Sequence, residues 1–187
     1  RFIWAGPISD GLRVVKLVKG GHYGYADSEG NIVIAPSFTS ASDFSEGLAN
    51  VKKDGTGYFI DREGKTVIAE GRDFRLGFRE GMTLLRHKPF LGGEKIGYAD
   101  REGKIAVKPV YDFGWDFSEG LAAVRKGEFS SGRWGFIDKQ GNAVTDFTFR
   151  DADSFSEGLA AVKTADGRYG YIDRTGKMVI EPRFDSA

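Results

Sequence analysis

The chain has 187 residues, of which 40% are hydrophobic and 13% aromatic, so it can form a packed core and is not expected to be disordered. Its 27 basic residues balance its 27 acidic ones, and we therefore predict no nucleic-acid partner. Cysteine is absent, which excludes disulfides and thiolate metal sites. No apolar run approaches the roughly 20 residues of a membrane span. Because the chain opens on Arg1, a signal peptide could have been removed. The compartment stays open, with an exported or cell-envelope protein favoured.

Two short phrases recur along the chain. Phe-Ser-Glu-Gly-Leu-Ala stands at residues 44–49, 117–122 and 155–160, with altered copies at 8–13 and 78–83. Gly-Tyr-x-Asp-x-x-Gly-Lys and its variants contain the aspartates Asp27, Asp61, Asp100, Asp138 and Asp173. Subtracting those numbers gives spacings of 34, 39, 38 and 35 residues, a period typical of repeat proteins. We predict one repeat domain over residues 1–187, with internal units at 17–52, 53–86, 87–125 and 126–165 and a split unit of 1–16 with 166–187.

Each unit of about 37 residues is predicted to be a β-meander of three short strands. One set of these strands is residues 121–125, 133–137 and 142–145. Between the second and third strands, Asp-x-x-Gly is typical of a type I turn completed by a left-handed glycine. Pro36, Pro109 and Pro182 are expected to end the third strand, because proline cannot donate a ladder hydrogen bond. No apolar period of 3.6 residues appears, so the predicted class is all-β.

Neighbouring meanders must cover each other's faces, since three short strands cannot form a stable core alone. Two arrangements do this: a propeller-like closed ring of five units, or an open β-superhelix (solenoid). The split unit favours a ring, because its two halves would complete one sheet. The short unit length argues against a four-stranded propeller blade. Both arrangements stay open at this point.

Most recurring positions are better explained by folding than by chemistry. The hairpin aspartates lack the spacing of a calcium loop, and their turn geometry explains them. The acidic residues beside each turn glycine fit capping or ion pairing better than paired catalysis: Asp10, Glu46, Glu80, Glu119 and Glu157. The regular aromatics, such as Phe44 and Trp134, fit packing between sheets better than a sugar-stacking ladder.

A column of cations ends the first strand of each unit: Lys16, Lys52, Arg86, Arg125 and Lys163. In a regular array these five side chains would share one edge and attract an acidic protein segment or an anionic polymer. The alternative is that they pair with the acidic column or simply face solvent. We take them as candidate partner-binding residues.

Departures from the repeat are better functional candidates, because folding does not require them. Loop 86–94 is the longest between the first two strands of a unit and contains His87 and Phe90. Loop 128–132 lengthens the equivalent segment one unit later and contains Phe129. Binding residues concentrate on such loops over a rigid scaffold. Trp115 and Trp4 are further candidate contact aromatics.

Together these phrases resemble the bacterial WG-repeat family, whose consensus joins aromatic-Gly-aromatic-x-Asp-x-x-Gly-Lys to Phe-x-Glu-Gly-Leu-Ala. The Trp-Gly dipeptide occurs once, at Trp134-Gly135, and Tyr23-Gly24 and Tyr169-Gly170 are close variants. The third unit has Ile96-Gly97, and the second has Gly57-Tyr58 in reversed order. The resemblance implies an interaction module and carries no common activity.

Catalytic motifs are missing from the sequence. There are two histidines and no nucleophile elbow, phosphate loop or zinc motif, so we predict no enzyme, no catalytic residue, no metal and no cofactor. The first hypothesis is a scaffold that binds another protein through its loop edge and basic strand ends. The alternatives are a module that binds glycan or cell-wall polymer through exposed aromatics, and a structural spacer. The oligomeric state is not indicated.

Overall fold

The computed structural model describes residues 2–68, 73–74, 77–90 and 92–187. Leu91, which belongs to the predicted loop 86–94, lies outside the described residues. The described chain contains strands and turns and no helix, and its strands form five small antiparallel sheets that do not close into a barrel. The all-β prediction is confirmed. Packing divides the chain into two compact parts, called unit 1 and unit 2 below and distinct from the predicted repeat units. Unit 1 comprises residues 1–83 and 100–104, and unit 2 comprises residues 84–99 and 105–187.

The five sheets follow one another along the sequence. Sheet 1 contains β1 (Trp4–Ala5), β2 (Arg13–Lys16), β3 (Tyr23–Ala26) and β4 (Ile32–Phe38). Sheet 2 contains β5 (Ser40–Ala41), β6 (Ala49–Lys53), β7 (Thr56–Ile60) and β8 (Thr66–Ile68). Sheet 3 contains β9 (Asp73–Phe74), β10 (Met82–His87), β11 (Lys95–Asp100) and β12 (Ile105–Tyr111). Sheet 4 contains β13 (Phe113–Gly114), β14 (Leu121–Lys126) and β15 (Arg133–Asp138). Sheet 5 contains β16 (Asp151–Ala152), β17 (Leu159–Lys163), β18 (Tyr169–Asp173) and β19 (Met178–Phe184).

The sheets differ from the predicted meanders in three respects. The linker before each Phe-Ser-Glu-Gly phrase adds a strand of two residues, so four of the five sheets have four strands. Residues 142–145 form only an isolated bridge, Ile137 with Ala143, instead of a third strand, and the Phe136 N–H donates to Thr145 Oγ1 there. The boundaries of the sheets also differ from those of the predicted units, because β2, which lies within residues 1–16, pairs with β3 in sheet 1.

The three prolines lie inside strands, so the prediction that they end them was wrong. Pro36 is within β4, and the pairing of β3 with β4 changes register across Gly24, between Tyr23 and Tyr25, and again between Tyr25 and Ala26. A bulge of this kind tolerates proline, since the bulged residue makes no ladder bond. The strand backbone bends so far inward that an added Cβ on Gly24 would lie 2.5 Å from the Ile34 carbonyl oxygen. Gly24, in the Tyr-Gly variant of the Trp-Gly dipeptide, is therefore required by this close approach.

The hairpin aspartates have the predicted turn geometry. The Gly30 N–H donates to the Asp27 carbonyl oxygen, and Asp27 Oδ1 accepts the N–H groups of Glu29 and Asn31. These bonds lower the pKa of the Asp27 carboxyl, the side-chain amide of Asn31 contributing most. Gly30 has a φ of 91°, which completes the bulged hairpin.

The core lies between successive sheets and is built from one recurring aromatic contact. Tyr25 of β3 packs edge to face on Phe44 at 4.8 Å in unit 1, and Phe136 of β15 packs likewise on Phe155 at 4.9 Å in unit 2. All four rings are almost fully buried. The Tyr25 hydroxyl also donates to the Ser42 carbonyl oxygen. The predicted packing role of the phenylalanine column is confirmed, and each buried ring contributes about 2–3 kcal/mol through apolar burial.

Candidate functional site

The Ser-Glu-Gly turns are connected by a ladder of hydrogen bonds, which we call the turn ladder. Each turn is a two-residue hairpin loop in which both central residues have positive φ, for example 54° at Glu119 and 85° at Gly120. In unit 2, the Glu119 carboxylate accepts the Gly158 N–H at 2.9 Å, and Ser118 Oγ donates to the Phe155 carbonyl oxygen at 2.7 Å. The acidic column therefore caps the following turn.

Unit 1 contains the same rungs. The Gly47 N–H donates to Asp10 at 2.8 Å, and the Gly81 N–H donates to Glu46 at 2.7 Å. An arginine of a later hairpin adds to this end of the sheets, since the Arg101 guanidinium donates to the Glu46 carbonyl oxygen at 2.6 Å. These contacts assign Asp10, Glu46 and Glu119 to folding, and the predicted capping role is confirmed for these three residues.

The basic column lies at the opposite end of each sheet, beside the loops between the first two predicted strands. In register, Lys16 lies between Trp4 and Tyr23, and its Nζ is 4.0 Å from the Tyr23 ring centre. Lys163 lies between Asp151 and Tyr169, with its Nζ at 5.0 Å from the tyrosine ring. These lysines therefore stack on aromatic rings, while the acidic column binds turn glycines.

Arg125 is the most enclosed cation of the column. Its side chain lies in register between Phe113 and Trp134, and the residue is only 9% exposed. The guanidinium carbon is 5.6 Å from the Phe113 ring centre, 5.8 Å from that of Trp134 and 5.3 Å from that of Phe129. Its Nε is buried and has no hydrogen-bond partner. Among the described residues Arg125 forms no ion pair.

Trp115 belongs to the same aromatic group. Its ring stacks on Trp134 at 6.2 Å with an interplanar angle of 14°, and meets Phe113 edge to face at 5.2 Å. The indole Nε1 donates to the Ala152 carbonyl oxygen at 3.1 Å, which fixes the ring while 37% of the residue stays exposed. Three predicted residues, Trp115, Arg125 and Phe129, are thus brought together in unit 2. We call Phe113, Trp115, Arg125, Phe129 and Trp134 the Arg125 cluster.

The carboxylate beside this cluster, that of Asp112, already accepts two hydrogen bonds. Asp112 accepts the Lys95 ammonium at 2.6 Å and the Gly127 N–H at 2.8 Å. Burial acts to raise the pKa of Asp112, but the hydrogen bonds from Lys95 and Gly127 and the charges of Lys95 and Arg125 hold it below its ordinary value. Asp112 thus anchors the base of loop 128–132. Sequence inspection missed this residue and Phe113, because neither recurs as a column.

The remaining predicted residues lie outside this cluster, and most of them are exposed. Arg86 forms an ion pair with Glu94 across loop 86–94, with Nε 3.6 Å from the carboxylate. His87 is exposed, and Phe90 is fully exposed at 102% of its reference area. Lys52 is exposed and lies in register with Ser40 and Gly57, where no ring is available. In the described part of the chain no cluster of three metal-ligating side chains occurs, and no helix is long and apolar enough to cross a membrane.

The five small sheets and the turns that connect them identify the chain as a β-repeat protein. The family model of the WG containing repeat matches residues 23–56, 96–128, 134–167 and 169–187, which is more than half of the chain. The chain belongs to the WG-repeat family, as its turn phrases predicted. No curated protein matches it.

Three solved structures match the chain at low sequence identity. An uncharacterized protein of Listeria monocytogenes is 14% identical with a TM-score of 0.51, and the match covers 91% of this chain and 61% of that one. BamB of Moraxella catarrhalis is 13% identical with a TM-score of 0.44, covering 97% and 76%. A quinonprotein alcohol dehydrogenase-like protein of Bacteroides thetaiotaomicron is 13% identical with a TM-score of 0.42, covering 96% and 54%. The chain thus spans about three fifths of the Listeria protein, and the likeness concerns fold alone.

Proposed function

We propose that this chain is a non-catalytic repeat scaffold that binds another protein through its strand-end cations and the adjoining loops. The observation that supports the proposal most directly is the exposure of Phe90 and Phe129, at 102% and 91%, on the two loops that lengthen the repeat. Each phenylalanine lies within four residues after a strand-end cation, Phe90 after Arg86 and Phe129 after Arg125. Exposed aromatics beside arginine are typical of protein-binding surfaces.

Charge reversal with a matched control tests the proposal. The variant Lys52→Glu, Arg125→Glu, Lys163→Glu changes the strand ends, and the control Lys65→Glu, Lys104→Glu, Lys177→Glu makes the same charge change at hairpin turns. We expect the first variant to lose proteins that the wild type and the control both capture from bacterial lysate, as quantified by mass spectrometry. Equal capture by both variants would contradict the proposal.

A glycan-binding module is the second candidate, because Trp4 and Trp115 are 48% and 37% exposed. Exposed tryptophan faces can stack on sugar rings. Binding to a glycan array that is lost on Trp4→Ala and Trp115→Ala, while the charge-reversal variant still binds, would favour this candidate.

The arrangement of the five sheets as a closed ring or an open superhelix is a further proposal that small-angle scattering can decide. A ring gives a compact particle with a radius of gyration near that expected for a globular chain of this length, whereas an open array gives a larger value.

A further inference from the structure

We propose that the Arg125 cluster is a recognition site for a carboxylate of an acidic peptide segment that also carries an apolar side chain. This inference rests on the proposed protein-binding function and names the ligand chemistry of one of its sites. It depends on the surroundings of a single residue, Arg125, and on how they differ from the equivalent positions in the other sheets.

The internal repeat supplies the comparison. In sheet 5, the residue in register with Lys163 is the acidic Asp151, whose Oδ2 accepts the Tyr169 hydroxyl at 2.9 Å. In sheet 4 that position is Phe113 and in sheet 1 it is Trp4, so an aromatic ring replaces the acid in both sheets, but the cation is buried only at Arg125 and not at Lys16. Arg125 is therefore surrounded by rings, and its buried Nε has no hydrogen-bond partner. A repeat that needed only a folded strand end would not require this combination.

A buried guanidinium with an unbonded N–H favours a planar anion. Arginine presents its donors as a rigid fork that matches a carboxylate in bidentate geometry, and low local dielectric strengthens that bond. Asp112 does not fill this role, because Lys95 and the Gly127 N–H already occupy its two oxygens. The ligand carboxylate would approach the part of Arg125 that stays exposed.

The rings favour a peptide over a glycan. Sugar hydroxyls need several polar groups around the site. Here the Trp115 Nε1 is committed to the Ala152 carbonyl oxygen, Trp134 is buried, and the exposed Phe129 ring carries no polar group. Phe129 is 91% exposed although its ring lies 5.3 Å from the guanidinium carbon. An apolar side chain next to the ligand's carboxylate would bury that ring.

Fluorescence anisotropy with defined probes tests the site. The probes are a labelled, end-capped peptide of alternating Glu and Phe, its twin with Gln in place of Glu, and a labelled oligogalacturonate. We expect the Glu peptide to bind at least about 10-fold more tightly than its Gln twin, since a hydrogen bond to a charged group is worth that much. We expect Arg125→Gln to weaken the Glu peptide by about 10- to 100-fold, and Arg125→Lys nearly as much because lysine lacks the fork.

Two further variants keep the test interpretable if Arg125 variants fold poorly. Phe129→Ala removes a fully exposed ring and should weaken peptide binding several-fold with an unchanged melting temperature. Lys177→Gln removes a hairpin-turn charge from the same unit and should bind like the wild type. In the wild type, the NMR signal of Arg125 Nε–H should shift on addition of the Glu peptide.

Distinct results would overturn the inference. These are equal affinity for the Glu and Gln peptides, equal effects of Arg125→Gln and Lys177→Gln, or tighter Arg125-dependent binding of oligogalacturonate. Loss of lysate capture on charge reversal together with Arg125-independent peptide binding would leave the proposed function standing and refute this site. Equal lysate capture by the charge-reversal and control variants would instead refute the proposed function.

Discussion

Removing one hydrogen bond of the turn ladder should destabilise the fold, and a glutamate that makes no such bond provides the control. Glu119 accepts the Gly158 N–H at 2.9 Å, whereas the exposed Glu157 accepts no hydrogen bond among the described residues. Their φ angles of 54° and 52° are nearly equal. Glu119→Ala and Glu157→Ala therefore carry the same backbone strain, and the hydrogen bond to Gly158 is lost only in the first.

The expected magnitude follows from the charge of the acceptor. A hydrogen bond to a charged group contributes about 1.5–3 kcal/mol, and partial exposure of Glu119 reduces this to about 1–2 kcal/mol. Glu157→Ala should stay within about 0.5 kcal/mol of the wild type. For a chain of this size the difference corresponds to a shift in Tm of roughly 2–8 °C.

Thermal and urea unfolding measure the two variants, and hydrogen exchange at the Gly158 amide measures the rung itself. Exchange there should accelerate in Glu119→Ala and stay unchanged in Glu157→Ala. Equal losses of stability in both variants, or an unaltered Gly158 amide in Glu119→Ala, would refute the role assigned to the rung.

Three other predictions concern stability. Gly97→Ala should destabilise the protein by at least about 2 kcal/mol in urea unfolding, because its Cβ would lie 2.3 Å from a backbone oxygen, whereas Gly93→Ala, which meets nothing within 4 Å, should be tolerated. Burial, and after it the charge of Asp43, raises the pKa of Tyr25. The stabilisation of the fold by the neutral phenol is therefore complete below the unfolded pKa of about 10 and is lost as pH rises through the folded pKa. Tyr25→Phe should remove this alkaline loss of stability, and unchanged alkaline unfolding curves would contradict the assignment. Because the pKa of Asp112 is lowered, the stabilisation that its carboxylate gives the fold is present above about pH 4 and is lost as pH falls through the folded pKa. The Tm of Asp112→Asn should therefore differ from that of the wild type at about pH 7 and converge with it in acid. A difference in Tm that stays constant with pH would argue against the assignment.

Local patterns predicted the strands and hairpin turns well, because their determinants lie within a few residues of one another. Asp27 and Gly30 specify their turn by themselves, and the buried Phe44 recurs with a regular spacing. The two-residue linker strands were not predicted, since a strand as short as Trp4–Ala5 has no hydrophobic periodicity. The position of Pro36 inside β4 depends on a bulge opposite Gly24, which only the pairing of the two strands defines.

The candidate site was predicted only in part for a similar reason. Strand-end position selected Arg125, and departure from the repeat selected Trp115 and Phe129. Their association with Phe113 depends on the register between β13 and β14, which the sequence does not state. The rungs of the turn ladder likewise join residues 35–39 positions apart, beyond the reach of turn chemistry.

Because of the turn ladder, the spacing of neighbouring sheets within a unit does not depend on the length of the loops at their other end. Its rungs connect Glu46 to Gly81 and Glu119 to Gly158 at the turn ends of the sheets, away from the segments that follow the strand-end cations. Doubling the length of a flexible loop costs only about 0.6 kcal/mol in closure entropy. Insertions can therefore accumulate after Arg86 or Arg125 without changing how the turns meet. Under the proposed function, loop insertion would change what the scaffold binds, and peptides grafted at loop 128–132 should leave the turn register intact.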